Sequence, residues 1–172
     1  MIADYSDAAY DIVLVLHIVC AIVGFGAVIL NGIYGQQVMA HPGPEGLAIF
    51  QANKLVSKIG EYFIYAVFVL GVVLVLLSGD VLDFGQTWVW LSMAIFLVSI
   101  GISHGLLYPR VNQMETRMIE MGTSGAPLQG SGPPPQVAQL AQLGKQVGVI
   151  STLLHIAMVA IIVMMVTKPG LG

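Results

Sequence analysis

The sequence predicts an all-α fold: a bundle of four transmembrane helices with long cytoplasmic helical extensions. Three observations predict it. Of 172 residues, 57% are hydrophobic and only 9% charged, and mean hydropathy is +0.89, whereas a soluble domain carries about 25% charged residues. The charges are also confined. No Asp, Glu, Lys or Arg occurs between Asp11 and Glu45, Glu61 and Asp80, Asp83 and Arg110, or Lys145 and Lys168. Each such interval is close to or above the roughly 18–20 residues that cross a hydrocarbon core of about 30 Å, and in lipid each must satisfy its own amides as a helix. A soluble globular enzyme is therefore disfavoured. Nucleic-acid binding is excluded by a net charge of −3 without a basic patch. The single cysteine excludes a disulfide framework and a cysteine-based structural zinc site. The length suits one domain, residues 1–172.

The first span is placed at 11–35. Its leader, Met1 to Asp11, holds Asp4, Asp7 and Asp11 but no Lys or Arg. The apolar run that follows exceeds the roughly 7–15 residues of a signal core, so the segment is expected to stay in the mature protein. His41-Pro42-Gly43-Pro44 marks a turn, with Pro44 suited to a first helical position. Leu47, Phe50, Leu55 and Ile59 then run without a breaker into a second span at 60–79, predicting one long helix. The third span is placed at 86–108. Beyond Pro109, Val111, Met114, Met118 and Met121 recur at helical spacing opposite Gln113, Glu115, Arg117 and Glu120. That pattern predicts a short helix lying on the membrane surface. Residues 122–135 are rich in Gly, Pro and Ser and predict a loose loop. A polar helical start, Gln136 to Gln146, leads into the fourth span at 146–167.

Lys54, Lys58, Arg110, Arg117 and Lys145 flank the two long connections, and only Lys168 lies on the other side. The bias predicts both connections in the cytoplasm and both termini outside, in a plasma membrane of prokaryotic type. Asp80 and Asp83 then fall in a short external turn, and Trp88 and Trp90 in the outer aromatic belt.

Small and polar residues recur in register. His17, Cys20, Ala21, Gly24, Ala27, Asn31 and Gly35 share a stripe on the first span; Gly144, Gly148, Ser151 and His155 share one on the last. Gly101 and Gly105 flank His104 on the third. Small residues let membrane helices approach, and polar ones face protein rather than lipid, so three histidines are expected to face the interior. A buried neutral imidazole bonded to a carbonyl explains any one of them. Intramembrane ionisable residues nevertheless point to function, and neutral imidazole between helices is a ligand for haem b. By helical rise, His17, His155 and His104 lie about 8, 18 and 24 Å below the outer edge, so His104 with His155 is the easier axial pair.

A second polar set, Lys58, Glu61, Tyr62 and Tyr65, is expected to face His104 and Arg110. Lys58 and Glu61 are spaced to pair along the helix, and a Glu61–His104 meeting would hold a proton, a metal or a propionate. Copper is weighed on Met114, Met118 and Met121, whose spacing fits an apolar helix face better than a thioether site, and on His17 with Cys20.

The order of features resembles the four-helix bundles that include the HemJ-type protoporphyrinogen oxidases and the CopD-like copper-resistance domains, together with uncharacterised predicted membrane proteins. Leu16-His17-Ile18, Asn53-Lys54-Leu55, Trp90-Leu91 and Val166-Thr167-Lys168-Pro169 carry the likeness. The resemblance implies a haem site at His17. HemJ-type enzymes also carry a lysine in a Trp-Leu-His-Ala-Lys run; here Trp90-Leu91-Ser92-Met93-Ala94 puts Ala94 at that position, which speaks against oxidase activity. The expectation is a haem-binding or redox-associated bundle, with a non-catalytic accessory subunit of a larger membrane complex, a copper-handling protein and an oligomeric transporter as alternatives.

Overall fold

In the computed structural model residues 5–79, 81–123 and 135–169 are described. They form α1 (Tyr5–Ala40), α2 (Pro44–Leu77), α3 (Thr87–Ile102), a single π turn (Ser103–Leu107), α4 (Tyr108–Thr123) and α5 (Pro135–Thr167). The π turn joins α3 to α4 without a break. The result is four rods, Ala8–Ala40, Pro44–Leu77, Thr87–Gly122 and Gln136–Thr167, each long and apolar enough to cross a membrane. The expected four-span, all-helical architecture is therefore present. A rod of 32 residues rises about 48 Å, some 18 Å more than a hydrocarbon core. The excess carries the polar segments around Lys54, Arg117 and Lys145. We call that end of the bundle the extension end, and the opposite end, where Ser78 to Gln86 links α2 to α3, the turn end. Asp80 and most of the 122–135 stretch lie outside the described residues.

The stripe on α1 faces α2. A Cβ on Gly24 would come 3.0 Å from Ile64 Cγ1, and one on Gly60 would collide with the Ala27 methyl. Further along, Ser57 donates to Asn31 Oδ1 at 2.8 Å. Small side chains at these positions bring the two backbones together, which is how helices associate where lipid removes any hydrophobic drive between them. Gly35 lies outside this contact. Gly101, Gly105, Gly144 and Gly148 likewise have open space where a Cβ would stand. The small residues expected to close the α3 and α5 contacts do not line them.

Two apolar clusters hold the rods. Within the span, Val67, Phe96 and Ile161 are packed by Cys20, Ala21, Ile64 and Phe68, and Phe68 stacks on Phe96 with centroids 5.2 Å apart. At the extension end, Val38, Phe50, Met114 and Met118 are buried together, flanked by Leu47, Val111, Leu140 and Val147. The apolar face of α4 is thus covered by α1, α2 and α5. This corrects the surface-helix expectation: the π turn carries α4 onward beside its neighbours, whose extensions offer Phe50 and Leu140 as a better partner than lipid. The same packing accounts for Met114 and Met118 as core side chains.

Trp88 also departs from expectation. It is 5% exposed, turned inward, with Lys168 Nζ 5.6 Å from its ring centroid, whereas Trp90 is 50% exposed as a belt residue would be.

Candidate functional site

Glu61 and Tyr65 are one helical turn apart on α2, so their side chains project from the same face. Tyr65 donates its hydroxyl to Glu61 Oε1 at 2.5 Å. From the π turn, His104 places Nε2 2.9 Å from Glu61 Oε1 and 2.9 Å from Tyr65 Oη. Its Nδ1 lies 3.1 Å from the Ile100 carbonyl. The three side chains form a closed triangle between two rods. It sits near the extension end of the apolar span: along α2, Glu61 lies about 24 Å from Leu77, and along the third rod His104 lies about 26 Å from Thr87, by helical rise.

Local sequence explains how His104 arrives there. Pro109 has no N–H to give to the turn before it, and its ring crowds that turn. The helix responds by widening: Tyr108 N–H bonds to the Ser103 carbonyl, five residues back. Such a turn is a common response to an interrupted helical ladder and recurs at functional sites. It rotates His104 relative to the residues that follow. Arg110 fastens the arrangement, donating Nη1 to the Leu106 carbonyl at 2.7 Å and Nε to Gln146 Oε1 at 2.9 Å on α5.

The proton ledger of the triangle is restrictive. A carbonyl only accepts, so the Ile100 contact requires a proton on His104 Nδ1. Tyr65 has one proton and two contacts, to Glu61 Oε1 and to His104 Nε2. Making both hydrogen bonds requires one further proton, on Nε2 or on Oε1. Imidazolium with carboxylate satisfies it, and so does neutral imidazole with carboxylic acid. Both forms hold the same number of protons and leave the pair without net charge, the arrangement that costs least in a membrane. His104 is 48% exposed and Glu61 37% exposed, so the triangle lies on the flank of the bundle, not in its interior.

The other expected residues fall elsewhere. Lys58 is exposed and makes no ion pair among the described residues; Lys54 pairs instead, with Glu115 on α4 at 2.5 Å. That pair, missed in the sequence, joins residues 61 positions apart and leaves no local spacing to detect. Tyr62 is 63% exposed. Arg110 faces Gln146 and not Glu61. His155 gives Nδ1 to the Ser151 carbonyl of its own helix at 2.6 Å. His17 is half-buried, with its Cε1 3.3 Å from where a Cβ on Gly71 would be.

These positions test the fit of a haem held by two histidines. His17 lies one turn to the turn-end side of the Val67–Phe96–Ile161 cluster, while His104 and His155 lie about 12 and 9 Å to its other side, by helical rise. His17 therefore shares a level with neither. His104 and His155 do share one, but His104 Nε2 is taken by Glu61 and Tyr65. An axial pair is not assembled. Cys20, one turn from His17, packs against the apolar cluster, and among the described residues no three His, Cys, Asp or Glu gather as a metal site.

No curated protein and no solved structure matches the chain, so the HemJ-type and CopD-like resemblance gains no support from either comparison. A family model described as "Predicted integral membrane protein (DUF2269)" matches residues 11–169, nearly the whole chain. Its description agrees with the four apolar rods, and the chain belongs to this DUF2269 family of predicted integral membrane proteins.

Proposed function

We propose that this integral membrane protein handles protons, and that Glu61, Tyr65 and His104 are the site that takes up and releases them. The observation that carries the reading is the triangle of contacts at 2.5 and 2.9 Å, in which both hydrogen bonds at Tyr65 Oη are made only when an exchangeable proton is held on Nε2 or Oε1. Glu61 and His104 are the proton-carrying groups. Tyr65 is a positioning residue that fixes the carboxylate by its own hydrogen bond. A site at the edge of the apolar span suits exchange with water on that side, whether the bundle works alone, as a homo-oligomer or as a subunit of a larger membrane complex.

The test is a pH-jump infrared difference spectrum of the chain in lipid, paired with nitrogen NMR of labelled histidine. A carboxyl band that appears as the His104 ring signal changes, and that vanishes in Glu61→Gln, is the expected result. Glutamine keeps a donor toward Nε2 but carries no exchangeable acid proton. A His104 ring signal unchanged by Glu61→Gln overturns the proposal. An absorption spectrum of the same preparation decides the cofactor alternatives. A Soret band lost on exchange of His17 or His155 would replace the proton reading with haem b binding, and stoichiometric copper lost with His17 and Cys20 would replace it with copper handling.

A further inference from the structure

The other half of the bundle carries polar atoms that the proton site does not use. Ser92 is 2% exposed, the most buried polar side chain among the described residues, and its hydroxyl has no hydrogen-bond partner. Three hydroxyls on α3 and α5 return to the carbonyl one turn back: Ser99 to Ile95 at 2.7 Å, Thr152 to Gly148 at 2.9 Å and Thr167 to Val163 at 2.8 Å. Ser92 does not. His17 Nδ1 is likewise buried without a hydrogen bond of acceptable geometry, the backbone of Val67 being the polar group that acts on the ring.

Register sets the two at one level of the bundle. Cys20 and Ala21 on α1, Val67 on α2 and Phe96 on α3 pack in one apolar cluster. One turn toward the turn end from each stand His17, Gly71 and Ser92. The ring of His17 occupies the notch that Gly71 leaves, since a Cβ there would come 3.3 Å from Cε1 and 3.7 Å from Nδ1. One turn further along the buried face of α3, Trp88 Nε1 is a third buried polar atom without a hydrogen-bond partner. Each such group is costly when left unpaired in an apolar interior, and a buried water hydrogen-bonds to groups of this kind.

The geometry points to a second polar site at this level, a binding site for one water molecule that bridges His17 Nδ1 and Ser92 Oγ, with Gly71 making room for the imidazole. Glu61 lies about 15 Å from Gly71 along α2, and the stacked Phe68–Phe96 pair stands between the two levels. The site is therefore independent of the proton cluster and stands or falls without it.

Water-edited nitrogen NMR of histidine-labelled protein in lipid tests it. The expected result is magnetisation transfer from water to His17 Nδ1, lost in Ser92→Ala and, separately, in Gly71→Ala, whose added methyl closes the notch. His155, bonded to the Ser151 carbonyl, is the internal control: its unchanged signal shows that each variant is folded. Absence of transfer in the unaltered chain overturns the inference. Transfer that survives Ser92→Ala overturns it too, as does a ring nitrogen bonded directly to the Val67 carbonyl or the Ser92 hydroxyl.

Discussion

Glu61 is the one charged residue of α2 between Ile59 and Leu77, and the cost of keeping it there is set by its partners. Tyr65 donates to Oε1, and His104 Nε2 stands 2.9 Å from the same oxygen. Removing the tyrosine hydroxyl in Tyr65→Phe leaves the shared proton in place but frees the carboxylate to rotate. The loss expected in unfolding free energy is about 1 kcal/mol, the ordinary net worth of one hydrogen bond, read by denaturant titration in mixed micelles. The infrared carboxyl band should persist but broaden. Histidine exchanged for glutamine at position 104 behaves differently, since it strips Glu61 of its proton partner, and the carboxyl band should respond to pH alone without a ring signal. The sequence made Glu61, Tyr65 and His104 legible as a set because helical spacing and depth place them together. The proton ledger was not legible, because it depends on the Ile100 carbonyl and on which ring nitrogen faces it.

At the scale of the element, α1 and α2 behave as a pre-packed hairpin whose contact is written in small residues. Gly24, Ala27, Asn31, Ser57 and Gly60 interlock; the α1 half was visible as a stripe because residues three and four apart share a face, whereas Ser57 and Gly60 on α2 carried no such signal. Gly60→Leu forces a branched side chain against Ala27, which already leaves no room for a Cβ. We expect a loss of about 1–3 kcal/mol, typical of overpacking, with Gly35→Leu, which faces open space, as the neutral control in the same unfolding assay. The π turn is the element that the sequence concealed. Pro109 announced an interruption but not its form, and a kink, a break or a widened turn all suit a proline. Pro109→Ala restores the missing N–H and should let the turn tighten. His104 would then rotate away from Glu61, and the histidine nitrogen spectrum should lose the shift that marks the Glu61 contact while α4 stays helical.

The whole molecule has two solvents, and its two cores follow from that. Within the span, Val67, Phe96 and Ile161 need only match lipid in apolarity, so shape decides their packing. Beyond it, Val38, Phe50, Met114 and Met118 gather where the rods leave the hydrocarbon, and there burial of apolar surface drives association as in a soluble bundle. The amphipathic face of α4 was legible in the sequence; its partner was not. Periodicity names the apolar side of a helix but not whether lipid or another helix covers it. The Lys54–Glu115 pair ties the outer module together. Both groups are partly exposed, so the pair should weaken as salt rises. This division yields a prediction that the span alone would not make. Phe50→Ala should cost about 3–5 kcal/mol, the range for emptying a buried aromatic site, but the loss should be confined to the extension end. Hydrogen exchange should quicken in residues 44–55 and 111–120, while amides around Val67 and Phe96 keep their protection. The charge-reversed pair Lys54→Glu with Glu115→Lys should restore the exchange that either reversal alone accelerates. Uniform acceleration along all four rods would instead mean that one cooperative core runs from end to end, and that the boundary between lipid and water leaves no mark on how this bundle is held.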